Sequence, residues 1–97
     1  LRTITHGDVV AAARAIAAVP AGRRAENLRR LLDKADAADR FRKRHGRAHP
    51  LWGNGTLMAA ALPMVPAAAE PFAGERAYLE CLGQVIEALL SWKDRAR

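Results

Sequence analysis

Apolar residues recur at steps of three and four along four stretches of this chain, and the breaks between the stretches fall at proline and glycine. That period predicts helices. In the first stretch Val9, Ala12, Ala13 and Ile16 hold the spacing. Thr5 followed three residues later by Asp8 matches a capping box with the shorter acid, so the helix is expected over 7–19, stopped by Pro20. The second helix is expected from about Ala21 up to Gly46, which stands where a left-handed C-terminal residue is wanted. Its core stripe is Ala25, Leu28, Leu31, Leu32 and Ala35. Four opposite pairs at four-residue spacing, Glu26/Arg30, Arg29/Asp33, Asp36/Arg40 and Asp39/Lys43, are expected to support its outer face.

A third, short helix follows through Leu57 to Ala61, capped by Thr56 or Asn54 and stopped by Pro63. Pro63, Pro66, Pro71 and Gly74 mark the next stretch, 63–74, as a surface connector. The last helix, about Glu75 to Lys93, has the strongest period: Tyr78, Leu82, Val85, Leu89 and Trp92, flanked by Leu79, Ile86 and Leu90. Its apolar face is wide. Either it is the central core helix of a monomer, or one edge of the stripe pairs with a second copy. The fold expected is all-α: a single domain over 1–97, a small bundle of four helices with the third short, and an ordered Trp-Gly-Asn-Gly loop between the second and third.

Composition sharpens this in three ways. Hydrophobic residues make up 51% of the 97, but many are alanines that bury little area, so the core is lean and a shared dimer core would relieve it. The net charge of +6 favours acidic partners, although an Arg-rich, Ala-rich composition is also what a GC-rich genome produces. Cys81 is the only cysteine, which excludes an internal disulfide framework and fits a reducing compartment. With no apolar run of spanning length and no signal-peptide pattern, the expected location is cytoplasmic, without a membrane partner.

Candidate chemistry concentrates between 36 and 56. Arg40, Arg42, Lys43, Arg44 and Arg47 fall together, and Arg40, Lys43 and Arg44 share one face of the second helix, where they are candidates to sit on phosphates with Arg47. A solvated basic helix end has the same look. No helix-turn-helix pair, zinc-finger spacing or aromatic-studded strand accompanies the cluster, so contact with nucleic acid would be backbone-led. His45 and His49 stand four apart, a zinc spacing on a helix, but Gly46 and Pro50 end the helix around them, and no metal site or cofactor is expected. Cys81 on an apolar helix reads as a small core residue and not a nucleophile.

Asp39 stands out because the helical period puts it at the centre of the stripe that carries Leu28, Leu32 and Ala35. A carboxylate buried there needs partners. The following loop offers the Trp52 indole, His49, Arg47 and the backbone around Gly53, Asn54 and Gly55. Two uses of this constellation stay open: a polar lock that folds the loop back on the helix, or a ligand pocket formed by Asp36, Asp39, His49, Trp52 and Asn54.

The segment R-x-H-P-x-W-G-N-G-T-L-M-A-A-A, Arg47 to Ala61, resembles a domain-of-unknown-function family of short alphaproteobacterial proteins. D-A-A-D-R before it and C-L-x-x-V-I-E-A-L-L after it carry the same resemblance over most of the chain. It implies a free-standing bacterial protein and no particular chemistry. The function expected is a non-catalytic interaction or regulatory module whose partner is another protein or a second copy through the last helix. The alternatives are a nucleic-acid-associated protein using the basic end of the second helix and, behind it, a small-ligand or metal binder.

Overall fold

The computed structural model describes residues 1–67, 71 and 74–95. In chain order the elements are α1 (His6–Ala17), a 3₁₀ turn (Ala21–Arg23), α2 (Arg24–His45), α3 (Leu57–Ala61) continued by a 3₁₀ turn (Leu62–Met64), and α4 (Arg76–Arg95). This is the all-helical bundle of four with a short third member. No helix among the described residues is long and apolar enough to cross a membrane.

The capping box at α1 is made in full. Asp8 N–H donates to Thr5 Oγ1 at 3.3 Å, and Thr5 N–H donates to Asp8 Oδ2 at 2.7 Å. At the other end Arg24 Nε–H donates to the carbonyls of Ile16 and Val19 at 3.0 and 3.2 Å, so the first residue of α2 closes the last turn of α1. Between these caps Ala11, Ala12, Ala13, Ala15 and Ile16 are all buried, and α1 packs against α2, α3 and α4. The alanine-rich helix is therefore the centre of the bundle, a place that the stronger period of the last helix had made one expectation for α4. Size explains the exchange: Ala brings helix backbones close on several sides at once, whereas a helix of large side chains fits best where only one side must be filled.

α2 ends at Gly46, whose φ of 71° and N–H bond to Arg42 O at 2.8 Å make the expected left-handed stop. Leu28, Leu31, Leu32, Ala35, Ala38 and Asp39 are buried. Ala25, expected in this stripe, is exposed, and Ala38 takes its place. The buried face is thus turned toward the Leu31 and Ala38 side, which leaves Ala25 beyond the opposite margin. Of the four charge pairs, Glu26–Arg30 (2.9 Å), Asp36–Arg40 (3.5 Å) and Asp39–Lys43 (3.1 Å) form. The third does so from a buried acid and not from the outer face.

Thr56 caps α3 by accepting from Ala59 N–H at 3.1 Å. α3 ends at Ala61 as expected, and Pro63 enters the first positions of the following 3₁₀ turn, where its missing N–H leaves no bond unmade. Residues 68–70 and 72–73 of the expected connector lie outside the described residues. α4 buries Tyr78, Cys81, Val85 and Leu89 on the core side, while Leu79, Ile86 and Leu90 stay 50%, 49% and 59% exposed.

Candidate functional site

The loop after α2 is ordered by its own polar atoms and by rings. His49 and Gly53 exchange two backbone bonds, N–H to O at 2.8 and 3.1 Å. The His49 imidazole Nδ1 accepts from the N–H groups of Leu51 and Trp52 at 3.0 and 3.1 Å, so the side chain closes the turn as an Asx side chain would. His49 also stacks on Trp52, with centroids 4.6 Å apart and planes 8° from parallel. Its edge meets Phe41 at 4.9 Å, Phe41 packs on His45 at 4.3 Å, and the Arg47 guanidinium sits 5.8 Å from the Phe41 centroid. Both imidazoles are thus turned on one phenylalanine of α2. The unusual His, Trp and Arg composition of 44–52 is accounted for by a ladder of rings that ties the loop to the end of the helix.

Asn54 and the glycines finish the seat. Asn54 Oδ1 accepts from the Thr56 backbone N–H at 3.1 Å and from the Thr56 hydroxyl at 2.8 Å, holding that threonine in its capping position. Gly55, at φ 92°, rests on α2 so closely that a Cβ there would lie 2.7 Å from Asp39 Cα. From the other side Arg2 N–H donates to Gly55 O at 3.2 Å. The loop is pinned between α2 and the N-terminal segment.

Asp39 is buried, 1% exposed, as its place on the stripe required. Its carboxylate does not take the loop donors. Arg42 Nη2 lies 2.9 Å from Oδ1; Lys43 Nζ and the Leu1 nitrogen lie 3.1 Å from Oδ2. The same nitrogen donates to Asp36 Oδ1 at 2.6 Å. What the loop uses of Asp39 is its backbone, beneath Gly55. The residues weighed as one ligand pocket are spread over separate clefts: Asp36 lines one with Asp33, Trp92 and Arg95, Asp39 another with Leu1, Arg2, Thr3, Arg42 and Lys43, and Asn54 a third with Thr5, Asp8 and Met58. His49 and Trp52 are spent on the ring ladder.

Of the candidate phosphate contacts, Arg40 and Lys43 are 74% and 66% exposed but are engaged by Asp36 and Asp39. Arg47 leans on Phe41. Arg44 alone of the four is exposed with no ion pair or ring contact among the described residues. The basic end of α2 is thus partly neutralised from within. No group of three or more His, Cys, Asp or Glu that could hold a metal ion occurs among the described residues.

A family model described as a domain of unknown function, DUF7742, matches residues 2–89, which takes in the N-terminal segment, α1 to α3, the loop and most of α4. The chain belongs to this family. Neither a curated protein nor a solved structure matches it.

Two features of the DUF7742 domain were hidden from sequence reading. The first is Asp8, 2% exposed, whose second oxygen accepts from Met58 N–H at 2.8 Å and so joins the starts of α1 and α3. The capping box announced the acid, but a box uses only one of its oxygens. The second is the N-terminal segment, which has no period to betray that Leu1 reaches the acids of α2.

Burial pushes the Asp39 carboxyl up, but hydrogen bonds from Arg42, Lys43 and the Leu1 nitrogen outweigh it and hold the group well below the usual carboxylate range. A pKa lower in the folded state than in the unfolded one means that ionised Asp39 stabilises the fold above about pH 4, and that this is lost progressively as pH falls below that value. The urea midpoint of the native chain should therefore drop steeply between about pH 4 and pH 2, and Asp39→Asn should flatten that limb while lowering the midpoint at neutral pH. Equal acid slopes in the two proteins would show that other carboxyls carry the effect.

Proposed function

We propose that the DUF7742 domain is a non-catalytic protein-interaction module that receives its partner on the outer edge of α4. One observation carries this reading: Leu79, Ile86 and Leu90 share one edge of α4, each about half exposed, beside the face that Tyr78, Cys81, Val85 and Leu89 bury in the core. Isolated exposed apolar side chains need no explanation, but three that share one helical edge of so lean a domain are a surface to account for. Full burial of such a side chain stabilises by roughly 1.5–3 kcal/mol, so covering the exposed halves adds on the order of 1 kcal/mol at each position. The basic end of α2 supports a nucleic-acid reading less well, because Asp36 and Asp39 already engage Arg40, Arg42 and Lys43.

The test separates docking from folding. Ile86→Ser and Leu90→Ser, at half-exposed positions, should each lower stability by less than about 1 kcal/mol in urea unfolding. A protein partner recovered with the tagged native chain and identified by mass spectrometry should nonetheless be lost with the double variant. Undiminished recovery of that partner would place the docking face elsewhere.

A further inference from the structure

We infer that the occupant of the α4 edge is an amphipathic helix with a basic margin, supplied by another protein and not by a second copy of this chain. The inference rests on the reading of that edge as a docking face. Leu79, Gly83, Ile86 and Leu90 follow one another at steps of four, three and four, the spacing of a seam between two helices. Gly83 is exposed, and a Cβ built on it would meet nothing within 4 Å. Leu79, Leu82, Gly83 and Ile86 therefore outline a hole of the kind that takes one side chain from a facing helix, deepened where the glycine has none of its own.

Charge selects among the helices that fit. On the solvent side of the seam Glu80, Glu87 and Asp94 recur every seven residues and so keep a constant position beside it. Glu80 holds Arg76 at 3.1 Å, both well exposed, while Glu87 and Asp94 make no ion pair among the described residues. An acidic row beside an apolar seam is a local reversal in a chain of net charge +6. A facing helix with Lys or Arg along its margin would complete it.

A second copy meets like charge in either direction. In an antiparallel pair related by a twofold axis the same margin of both helices falls on the same side, so the two acidic rows would face each other. In a parallel pair Arg76 and Lys93, which continue the seam spacing at its two ends, would each face their own counterpart, and the two Gly83 positions would leave a gap.

The experiment uses the full chain and two synthetic helical peptides with leucine at every seam position, one with lysine along its margins and the other with glutamate, followed by fluorescence anisotropy. The lysine peptide should bind at least roughly tenfold more tightly, with the preference shrinking as salt rises. Glu87→Lys with Asp94→Lys, both on the solvent face, should reverse the preference, and Ile86→Ser should weaken both peptides. Equal binding of the two peptides, lost on Ile86→Ser, would overturn the basic-partner inference and leave the docking face standing. A native dimer in sedimentation that Ile86→Ser dissociates would also overturn it, by naming a second copy as the occupant. Binding of neither peptide by a monomeric native chain would remove both the inference and the reading beneath it.

Discussion

Gly55→Ala is expected to destabilise the domain by about 3 kcal/mol, through two contributions that a second glycine separates. At φ 92° an L side chain is strained, and a Cβ would stand 2.7 Å from both Cα and Cβ of Asp39 and 3.0 Å from its N. These are atoms of a helix backbone and its first side-chain carbon, so no rotamer change relieves the overlap. The loop must lift off α2 or the helix must move. Gly46 shares the positive φ, 71°, but a Cβ there meets nothing within 4 Å. Gly46→Ala should therefore show the backbone contribution alone, about 1 kcal/mol.

Urea unfolding of the two variants beside the native chain gives the comparison. In a Trp92→Phe background, Gly55→Ala should also shift Trp52 emission to the red, because lifting the loop takes the His49–Trp52 stack off Phe41 and opens it to solvent. If Gly55→Ala costs no more than Gly46→Ala, the close approach to Asp39 is not what seats the loop.

What could be read from the sequence was what depends on neighbours a few residues away. The capping box of α1, the left-handed stop at Gly46, the threonine cap of α3 and the burial of Asp39 are consequences of spacing within a turn or two, and all four are present. Of the partners of Asp39, Lys43 was legible at four-residue spacing and Arg42 stands three residues on, whereas Leu1 was not, because only tertiary packing brings it to the acid. Phe41 went unread: it stands four residues before His45, but its contact with His49 crosses the loop. The rank of α1 was missed for a different reason. Alanine contributes little apolar area, so a period built from it looks weak, although the same smallness lets α1 occupy the crowded centre. The strength of a hydrophobic period measures how much area a helix offers, not how many neighbours it has. For α4 the two quantities part: the area is large, one side is used, and the surplus is the candidate docking edge.

Asp8→Ala is the substitution expected to loosen the architecture most widely, at about 3 kcal/mol. The carboxylate accepts three hydrogen bonds: from Thr5 N–H at 2.7 Å, from the Thr5 hydroxyl at 2.9 Å, and from Met58 N–H, fifty residues away in the chain, at 2.8 Å. Its removal unmakes the capping box of α1 and strands an amide in the first turn of α3 in the same step. Thr5→Ala removes only the threonine side of the box and should cost about 1 kcal/mol, so the difference between the two variants reports the tie to α3. Asp8→Asn keeps one acceptor oxygen but turns an amide donor toward a donor already there, which should place it between the other two. Hydrogen exchange locates the effect: Asp8→Ala should accelerate exchange at Met58 relative to residues of α2, and Thr5→Ala should not. The weakened tie also predicts coupling with the second cap of α3, since Thr56 Oγ1 accepts from Ala59 N–H one residue further on. In a double-mutant cycle Asp8→Ala and Thr56→Val should interact by at least about 0.5 kcal/mol, because either loss frays the helix start on which the other bond depends. Strict additivity, with Met58 exchange unchanged, would mean that α3 is held by the burial of Leu57 and Ala61 alone and that Asp8 serves only its own helix.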